Sequence, residues 1–259
     1  MDIGTGKISK KEMQKIPHHL LDVASPKKIF SVSAFKKLAD KKIKEIIAHK
    51  KIPIIVGGTG FYIDAVVDGV ILPEVEPNKK LRATLEKKSP IQLLSILKKL
   101  DPVRAKTIDQ NNPVRLIRAI EIAKTLGSVP APSHRQGLWG GVLKIGLTLP
   151  DEVLKENIQT RLLARMKKGM LKEIQKLHTD GLSWKRMEAL GLEYRYGALH
   201  LQDKVSKEVM LEKLNIEIWH YAKRQKTWFK RDKNTIWIDP REIHEKAKAV
   251  KKMKEFLKS

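Results

Sequence analysis

The short segment VGGTGFY combines residue types that can hold an anion. Gly57, Gly58 and Gly60 surround Thr59, and they follow the apolar run Ile52–Val56. At the carboxyl end of a buried strand, glycines let backbone N–H groups and a threonine hydroxyl approach an anion at the N-terminus of the next helix. The alternative is that these glycines only let a strand and a helix meet closely. The segment by itself is compatible with both.

The C-terminal segment YAKRQKTWFKRDKNTIWIDP interleaves basic and aromatic side chains. The basic ones are Lys223, Arg224, Lys226, Lys230 and Arg231, and the aromatic ones are Tyr221, Trp228 and Phe229. Basic side chains hold backbone phosphates while aromatic rings stack on unpaired bases, as recognition of RNA loops requires. The competing interpretation is a lysine-rich helix end with aromatic residues in the core. The pattern favours RNA binding.

Three arginines lie beside apolar stripes, where this residue type can have either of two roles. Arg115 and Arg118 are one helical turn apart in NNPVRLIRAIEI, a spacing that suits two successive phosphates. They could equally pair with Glu121 or with a neighbouring helix. Arg161 lies among leucines and isoleucines, and an arginine in that setting usually extends its charged end to water. Spacing alone therefore favours a structural role for Arg161.

The net charge indicates the class of partner. The 259 residues include 53 lysines and arginines against 29 aspartates and glutamates, which gives a net charge of +24 with neutral histidines. A field of that sign attracts polyanions, and each neutralised phosphate adds salt-dependent affinity. The alternative for the total charge is a set of lysines scattered over solvated helix faces.

Composition excludes several other classes of protein and site. The chain has no cysteine, which excludes disulfides, thiolate zinc sites and cysteine nucleophiles and fits a cytoplasmic location. It has no apolar run of about eighteen residues, so we expect no membrane-spanning segment. His18 and His19 are adjacent, and adjacent side chains do not converge on one ion, so we predict no metal ligands.

The segment before the glycines has a helical period that leads into a strand. The periodic apolar residues are Phe35, Leu38, Ile43, Ile46 and Ile47, and we predict that Ser33 caps this helix. Ile52–Val56 is a continuous apolar run of strand length, which predicts a buried parallel strand. A helix that leads into a buried strand indicates an α/β sheet.

The rest of the chain returns to α/β order after a long helical stretch. Residues 77–130 are predicted to be helical, with breaks at Pro90, Asp101-Pro102 and Asn112-Pro113. GGVLKIGLTLP and NTIWIDP predict strands. Between them, Pro150-Asp151 starts one long helix through Leu177, and two more helical segments follow. We therefore predict an α/β core of residues 1–75 and 140–259 around a parallel sheet, with a mainly helical insertion of residues 76–139.

Together these segments resemble the tRNA dimethylallyltransferases, also called tRNA isopentenyltransferases. The matching stretches are, in order, MDIGTGK, IPHHLLDVASP with SVSAF, IIVGGTGFYIDAV, NNPVRLIRAIEI, RLLARMKKGMLKEIQKL, EALGLEY, and AKRQKTWFKR closing on WID. They span nearly the whole chain in the order and spacing of the family. Any one of them is a modest match, but collinear matches along the whole chain are highly specific.

The resemblance implies a fold, a reaction and partners. Enzymes of this family have a P-loop-nucleotidase-like parallel sheet core with a helical insertion. They transfer a dimethylallyl group from its diphosphate to N6 of adenosine 37 in tRNA, and Mg²⁺ assists the diphosphate. For this chain the resemblance therefore implies the tRNA anticodon stem-loop and dimethylallyl diphosphate as partners, no membrane, a monomer and a cytoplasmic location.

The resemblance also implies roles for particular residues. By position, Arg161 orients the diphosphate, and Thr59 contacts tRNA near the reacting adenine. Further implied tRNA contacts are Arg82, Arg115, Arg118, Gly191, Lys223, Arg224, Gln225, Trp228 and Arg231, and implied neighbours of the diphosphate are Thr5, Lys7, Gly57 and Gly58. At position 219 relatives often carry arginine, whereas this chain has Trp219. The tRNA contact of that arginine is therefore not carried over.

Two motifs of the family do not occur in this sequence. In relatives, MDIGT follows a P-loop of the form G-x-T-x-x-G-K-[ST] and an Asp-Ser-x-Gln stretch whose aspartate is the general base. We therefore expect a chain that starts roughly forty residues late, without the P-loop, the first strand and the base. One preorganised donor contributes about 10²–10³ in rate and a general base about 10²–10⁴. We expect little transfer by these 259 residues, and the alternative function is a non-catalytic tRNA-binding remnant.

Overall fold

The computed structural model describes residues 1–130, 133–134 and 141–258. The chain divides into two compact units, Met1–Ile63 with Gly140–Ser259, and Asp64–Trp139. The border predicted after residue 75 stays a prediction. Val75 lies within the second unit, where it is buried and its carbonyl accepts a hydrogen bond from Arg118 at 2.8 Å. The border predicted between residues 139 and 140 lies outside the described residues.

The described part of the chain is mostly helical. In chain order its elements are α1 (Val32–Ala48), α2 (Gly60–Val67), β1 (Val70–Ile71), α3 (Lys79–Leu85), α4 (Pro90–Leu100), α5 (Pro102–Thr107), α6 (Pro113–Leu126), β2 (Ser133–His134), β3 (Ile145–Leu147), α7 (Asp151–Lys167), α8 (Met170–Thr179), α9 (Trp184–Leu190), α10 (Leu192–Leu201), α11 (Lys207–Phe229), β4 (Ile236–Ile238) and α12 (Ile243–Phe256).

A core of long apolar side chains holds the helices of the first unit together. Its fully buried members are Leu162, Met170, Ile174, Met187, Met210 and Leu214. They come from α7, α8, α9 and α11, so each of these helices turns an apolar side toward the same interior. This packing fixes the side of α7 and α11 that faces inward, and it thereby determines which of their basic residues remain at the surface.

The second unit is helical, and prolines set its helix boundaries as the sequence predicts. Pro90, Pro102 and Pro113 begin α4, α5 and α6, where the missing N–H costs no intrahelical hydrogen bond. The residue before each proline is a serine, aspartate or asparagine whose side chain accepts a backbone N–H of the first turn. The buried leucines and isoleucines of α4 and α6 form the core of this unit.

Two small sheets complete the fold. Strands β3 and β4 pair in parallel, with Ile145 opposite Ile236 and Leu147 opposite Ile238. Strands β1 and β2 pair antiparallel, with Val70 opposite His134. The strands predicted in GGVLKIGLTLP and NTIWIDP are therefore confirmed. The parallel pair among helices, with a helical unit inserted before it, agrees with the predicted α/β class.

The buried strand predicted at Ile52–Val56 is wrong. This run pairs with none of the described strands, and the side chains of Ile54 and Val56 are 80% and 89% exposed. An apolar run becomes a buried strand only where neighbouring elements cover both of its faces, and no described element does so here. The glycine turn that follows is therefore not positioned by a sheet.

Two helix ends differ from the prediction. Ser31, not Ser33, caps α1, because the Ser31 side chain accepts the Ala34 N–H at 3.2 Å. The single long helix predicted after Pro150 is two helices, since Gly169 has a φ of +95°, a left-handed conformation that favours glycine. Three helices, α9 to α11, rather than two, then lead to β4.

Candidate nucleic-acid and phosphate site

The glycine turn is positioned by direct contact with α11. A β-carbon on Gly58 would lie 2.0 Å from Nε2 of Gln225, and one on Gly60 would lie 2.0 Å from Cδ1 of Trp228. Side chains do not approach this closely, so a side chain at position 60 would displace the Trp228 ring, whereas one at position 58 would displace only the flexible end of Gln225. Gln225 and Trp228 are both predicted to contact RNA. One side of each of these side chains therefore packs against the turn.

Hydroxyl, aromatic and basic groups surround this contact. The Thr59 hydroxyl lies 3.4 Å from the hydroxyl of Tyr221. The Arg224 guanidinium is 5.9 Å from the centre of the Tyr221 ring. The Arg231 guanidinium is 4.6 Å from the centre of the Trp228 ring. Both distances are those of cation–π contacts, so the structure brings together five of the residues that the sequence assigned to RNA binding.

Lys223 belongs to a different contact on the same helix. Lys223 lies 5.7 Å from the centre of the Trp219 ring, and Lys155 of α7 lies 5.1 Å from it. Lys226 is 3.7 Å from the Asp151 carboxylate at the start of α7. The predicted RNA contacts of the C-terminal segment thus divide between the glycine turn and the surface around Trp219.

One carboxylate holds the opening residues of the chain. Glu173 of α8 accepts hydrogen bonds from the backbone N–H groups of residues 2, 3 and 4, at 2.6, 2.9 and 3.1 Å. The Tyr194 hydroxyl donates to the same carboxylate at 2.7 Å. Partial burial would raise the pKa of Glu173, but these hydrogen bonds outweigh it and hold that pKa below its ordinary value. Burial, followed by the neighbouring Glu173, raises the pKa of Tyr194.

Two arginines of α7 lie against the same loop. A β-carbon on Gly6 would be 2.1 Å from Nη2 of Arg165 and 2.8 Å from Nη2 of Arg161. Arg165 is firmly bound, because its Nη1 donates to Glu193 at 2.5 Å and to the Gly4 carbonyl at 3.3 Å. Burial, and then the charge of Arg161, lower the pKa of Arg165.

Of these two arginines, Arg161 is the one that is available to bind a ligand. Its side chain is exposed, and it pairs with no carboxylate in residues 1–130, 133–134 or 141–258. Two guanidinium groups that repel each other beside a backbone loop form a favourable place for an anion, since the anion relieves their repulsion. The structure thus leaves Arg161 free for the contact that the resemblance implies, although spacing alone favoured a structural role.

Thr5 and Lys7, two predicted neighbours of the diphosphate, are engaged within the opening segment. Lys7 Nζ lies 2.5 Å from the Asp2 carboxylate and 2.7 Å from that of Asp22. Hydrogen bonds to these carboxylates raise the pKa of Lys7. The Thr5 hydroxyl donates to the Met1 carbonyl at 3.0 Å. Lys7 would have to exchange a carboxylate for a phosphate in order to bind one.

In the second unit, a buried carboxylate organises two of the predicted RNA contacts. Glu121 is 1% exposed and accepts two hydrogen bonds from Arg82, at 2.8 and 2.6 Å. Arg118 donates to Glu121 at 3.4 Å and to the Val75 carbonyl at 2.8 Å, and the Asn78 N–H donates to Glu121 at 2.8 Å. Burial would raise the pKa of Glu121, but the bonds from Arg82 and Asn78 hold it below its ordinary value.

This geometry separates the roles of the three arginines in the second unit. Arg118 pairs with Glu121, one of the two alternatives that the sequence left open, and Arg82 pairs with it more tightly. The Arg115 side chain is 61% exposed, and its nearest carboxylate, Asp109, is 3.7 Å away. Of these arginines, Arg115 is therefore the one that can turn to a phosphate without uncovering a buried charge.

Two further site glycines have open surroundings. A β-carbon on Gly57 would meet only Ile63, at 3.8 Å, and one on Gly191 would meet nothing within 4 Å. Gly191 joins α9 to α10 with a φ of +110°, so the backbone itself favours glycine there. Neither packing nor backbone strain requires glycine at position 57. Gly57 is thus the point of the turn where a ligand can approach the backbone.

Sequence reasoning missed Glu173, Arg165 and Tyr194 as parts of the site. Glu173 is 170 residues from the Ile3 N–H that it accepts, and no local period connects positions so far apart. The available signals were the matched stretches RLLARMKKGMLKEIQKL, which contains Arg165 and Glu173, and EALGLEY, which ends on Tyr194. The stretches gave these residues no role, because their role depends on where the opening loop lies.

Metal clusters and membrane spans were also sought among the described residues. Across residues 1–130, 133–134 and 141–258, no three histidine, aspartate or glutamate side chains are grouped so that they could hold a metal ion. Within the same residues, no helix combines the length and apolar character needed to cross a bilayer. Magnesium is often held by one or two carboxylates together with substrate phosphates, so the expected Mg²⁺ stays a prediction.

Comparison with known proteins identifies relatives along most of the chain. Residues 1–232 match the family model described as IPP transferase. tRNA dimethylallyltransferase 2 of Trichlorobacter lovleyi is 40% identical over 245 residues, which cover 92% of this chain and 79% of that protein. tRNA dimethylallyltransferase 2 of Treponema denticola is 40% identical over 247 residues, covering 92% of this chain and 82% of that protein.

Solved structures with the same fold agree with these sequence matches. The full-length tRNA isopentenylpyrophosphate transferase of Bacillus halodurans is 34% identical with a TM-score of 0.65, covering 92% of this chain and 77% of that one. tRNA delta(2)-isopentenylpyrophosphate transferase of Staphylococcus epidermidis is 30% identical with a TM-score of 0.66, covering 100% and 86%. A eukaryotic dimethylallyltransferase acting on tRNA, 23% identical with a TM-score of 0.69, shares the fold.

Proposed function

The chain belongs to the IPP transferase family, and on that premise we propose that it modifies tRNA at N6 of adenosine 37. The members of the family are tRNA dimethylallyltransferases, enzymes that transfer a prenyl group. In this proposal the donor is dimethylallyl diphosphate, and the anticodon stem-loop is the part of tRNA that is recognised. The working form is a cytoplasmic monomer.

The observation that carries the proposal is the contact between the glycine turn and α11. Thr59 and Tyr221 are 162 residues apart in sequence, yet their hydroxyls lie 3.4 Å from each other. Arg224 and Arg231 lie beside them over aromatic rings. Backbone N–H groups, hydroxyls and arginines are the groups that bind a phosphodiester, and aromatic rings accept an unstacked base. This combination supports the handling of an unpaired adenosine.

The arginine pair beside the opening loop supports the handling of a diphosphate. In the transfer, a bond forms between N6 and the allylic carbon, and the bond from that carbon to the diphosphate oxygen breaks. The bonding electron pair leaves with the diphosphate, and the proton from N6 passes to solvent water. The departing diphosphate needs fixed positive charge, which Arg161 beside Arg165 supplies. Glu173 contributes by fixing the loop against which both arginines lie. We assign no base, because the sequence contains no Asp-Ser-x-Gln stretch.

Magnesium enters this proposal with the diphosphate. Mg²⁺ keeps several waters and commonly binds through substrate phosphates and only one or two carboxylates. The described residues offer no cluster of three ligands, so we assign no ligands and derive no step from the ion. When bound, Mg²⁺ would neutralise part of the diphosphate charge.

The test separates recognition of RNA from transfer. The purified chain is titrated with an anticodon stem-loop carrying A36-A37-A38, with the same stem-loop in which guanosine replaces A37, and with AMP. In parallel, RNA incubated with dimethylallyl diphosphate and Mg²⁺ is analysed by mass spectrometry for prenylated adenosine. We expect salt-dependent binding of the stem-loop, weak binding of AMP, and prenylated adenosine only in the stem-loop that carries A37.

A matched pair of variants links this binding to the contact at the turn. Arg231→Ala removes the cation over Trp228 and should weaken binding of the stem-loop several-fold, whereas Lys248→Ala on α12 removes an equal charge elsewhere. Equal losses for the two variants, or equal affinity for AMP and the stem-loop, would contradict the proposal. Binding without any transfer would support recognition of tRNA and favour the non-catalytic remnant as the function of these 259 residues.

A further inference from the structure

Helix α11 presents two opposite faces to different surroundings. Successive residues of an α-helix are rotated by about 100°, so Tyr221, Gln225 and Trp228 form one stripe, and this stripe carries the contact with the glycine turn. Trp219, Lys223 and Lys230 form a stripe on the opposite side, so they cannot contribute to the contact at the turn.

The opposite stripe carries an aromatic ring with two lysines over it. Lys223 lies 5.7 Å from the centre of the Trp219 ring, and Lys155 of α7 lies 5.1 Å from it. Lys155, Lys223 and Lys230 are exposed, and none of them pairs with a carboxylate in the part of the chain that the structure describes. Lys226, between them, is neutralised by Asp151 at 3.7 Å. The result is a partly exposed indole with the charges of Lys155 and Lys223 over it. Lys230 lies about 16 Å farther along the same face of α11.

We propose that Trp219, with Lys155 and Lys223, is a second RNA contact site that stacks one unpaired nucleotide. This inference rests on the proposed function, and it adds a site on the face of α11 that points away from the glycine turn. The ligand is a single-stranded nucleotide with its flanking phosphates. The base lies on the indole ring, and the lysines bind the phosphates on either side.

Binding of a nucleotide at Trp219 requires the lysines to move away from the ring. An exposed cation–π contact is weak, whereas stacking of a base on an aromatic side chain is several times stronger. The displaced lysines do not lose their partners, because each exchanges a ring for a phosphate, a full opposite charge. The exchange is therefore favourable for RNA that offers an unstacked base. It offers little to a duplex, whose bases remain paired.

The competing account is that the lysines only cover an apolar ring from water. That account predicts that Trp219 contributes to stability and not to RNA affinity, and that the bases of the RNA do not matter. The two accounts therefore differ in three observable properties: the preference for unpaired RNA, the salt dependence of binding, and the fluorescence of Trp219.

The first measurement compares RNA affinities of Trp219→Ala, Trp219→Phe and Lys248→Ala with that of the unchanged chain. The probes are the anticodon stem-loop and a fully paired hairpin of the same length. We expect Trp219→Ala to weaken binding of the stem-loop about tenfold, which corresponds to one lost base stack. Binding of the paired hairpin should change less than twofold. Trp219→Phe should restore most of the affinity, and Lys248→Ala should match the unchanged chain.

The second measurement tests whether the lysines contact phosphates of the RNA. A contact to a phosphate of single-stranded RNA contributes about 0.7 to the slope of log affinity against log salt concentration. Lys155→Ala and Lys223→Ala should each lower that slope by about this amount. Trp219→Phe should leave the slope unchanged.

The third measurement reports on the ring itself and does not depend on affinity. The chain has five tryptophans, so the difference in emission between the unchanged chain and Trp219→Phe isolates Trp219. We expect RNA with an unpaired loop to quench this difference signal, and the paired hairpin to leave it intact. This readout holds even where Trp219→Ala folds poorly, because Trp219→Phe keeps the aromatic packing.

The outcomes separate this inference from the proposed function. If the chain binds the stem-loop but Trp219→Ala binds equally well, the second site is overturned and the proposed function stands. Equal losses for the stem-loop and the paired hairpin would also overturn the site. If the unchanged chain does not bind the stem-loop at all, the proposed function fails, and this inference fails with it.

Discussion

The two units of the chain differ in how carboxylates hold their paired arginines. In the second unit, the buried Glu121 binds both Arg82 and Arg118. In the first unit, Arg165 is bound by Glu193, while Arg161 lies exposed beside it. Both sets of arginines lie on helices. The resemblance assigns Arg82 and Arg118 to tRNA and Arg161 to the diphosphate, and it gives Arg165 no role.

The difference shows that availability, and not residue type, decides which arginine can bind a new anion. When an arginine moves away from a buried carboxylate, the carboxylate stays buried without a counter-charge, which costs several kcal/mol. An exposed arginine with no carboxylate partner, or with an exposed one such as Asp109 beside Arg115, gives up little more than its own side-chain freedom, about 1.5–2 kcal/mol. Arg161 in the first unit and Arg115 in the second are therefore the arginines from which we expect phosphate binding.

The largest expected effect is the loss of the buried carboxylate. Glu121→Gln should destabilise the second unit by about 3 kcal/mol, because it removes the buried counter-charge of two arginines that are themselves about a third exposed. Urea denaturation followed by circular dichroism would measure this. Asp109→Asn is the matched control, since it removes an exposed carboxylate 3.7 Å from Arg115 and should cost less than about 0.5 kcal/mol. A loss for Glu121→Gln as small as that of the control would refute the comparison.

The second effect concerns the opening loop. Glu173→Gln removes the charged acceptor of three backbone N–H groups and should cost about 2 kcal/mol. Amide hydrogen exchange at residues 2–4 should accelerate in this variant far more than exchange in α11. Tyr194→Phe, which removes one donor to the same carboxylate, should produce a smaller effect of about 1 kcal/mol. Unchanged exchange at residues 2–4 would show that Glu173 does not hold the loop.

The third effect is a dependence of stability on pH. The pKa values of Glu121 and Glu173 are both below the ordinary value of 4.5, so both groups favour the folded state in their charged form. Their contribution is complete above pH 4.5 and is lost as the pH falls through the lowered values. The difference in stability between the unchanged chain and Glu121→Gln should therefore shrink with acidification below pH 4.5. A difference that grows on acidification would reverse the sign and contradict the structure.

The smallest effect on stability should come with a clear effect on binding. Arg161→Ala should change the free energy of unfolding by less than about 0.5 kcal/mol, because its side chain is exposed. Its affinity for inorganic pyrophosphate, measured by calorimetry, should fall about tenfold, the loss typical of one charge-assisted contact. Arg115→Ala, an equally exposed arginine in the other unit, should leave pyrophosphate affinity unchanged. Equal losses in both variants would indicate a general effect of charge.

Much of the fold could be predicted because local chemistry dictates it. Pro90, Pro102 and Pro113 each follow a side chain that can cap a helix, and each begins one. The short strand around Ile236 was visible as an apolar run between turn residues. These features depend on neighbours within a few residues, and a single sequence contains that information.

The remainder depends on partners that a single sequence does not specify. Ile52–Val56 has the composition of a buried strand, but burial requires covering elements, and the described residues provide none. In the sequence, Arg118 and Arg161 both lie beside apolar stripes. Their roles differ only because Glu121 lies next to Arg118 and the opening loop lies next to Arg161. The break at Gly169 could have been predicted, since a glycine that follows basic residues can end a helix.

Because its glycines have no β-carbon, the glycine turn packs closely against α11. Because the Trp228 ring occupies the volume that a side chain at position 60 would need, positions 60 and 228 must vary together, whereas the flexible end of Gln225 can move away from a side chain at position 58. Alanine at position 60 should be accepted only together with a smaller residue in place of Trp228. The turn and the helix are therefore structurally coupled. Substitutions at the RNA-facing residues of α11 would shift the position of Thr59 as well.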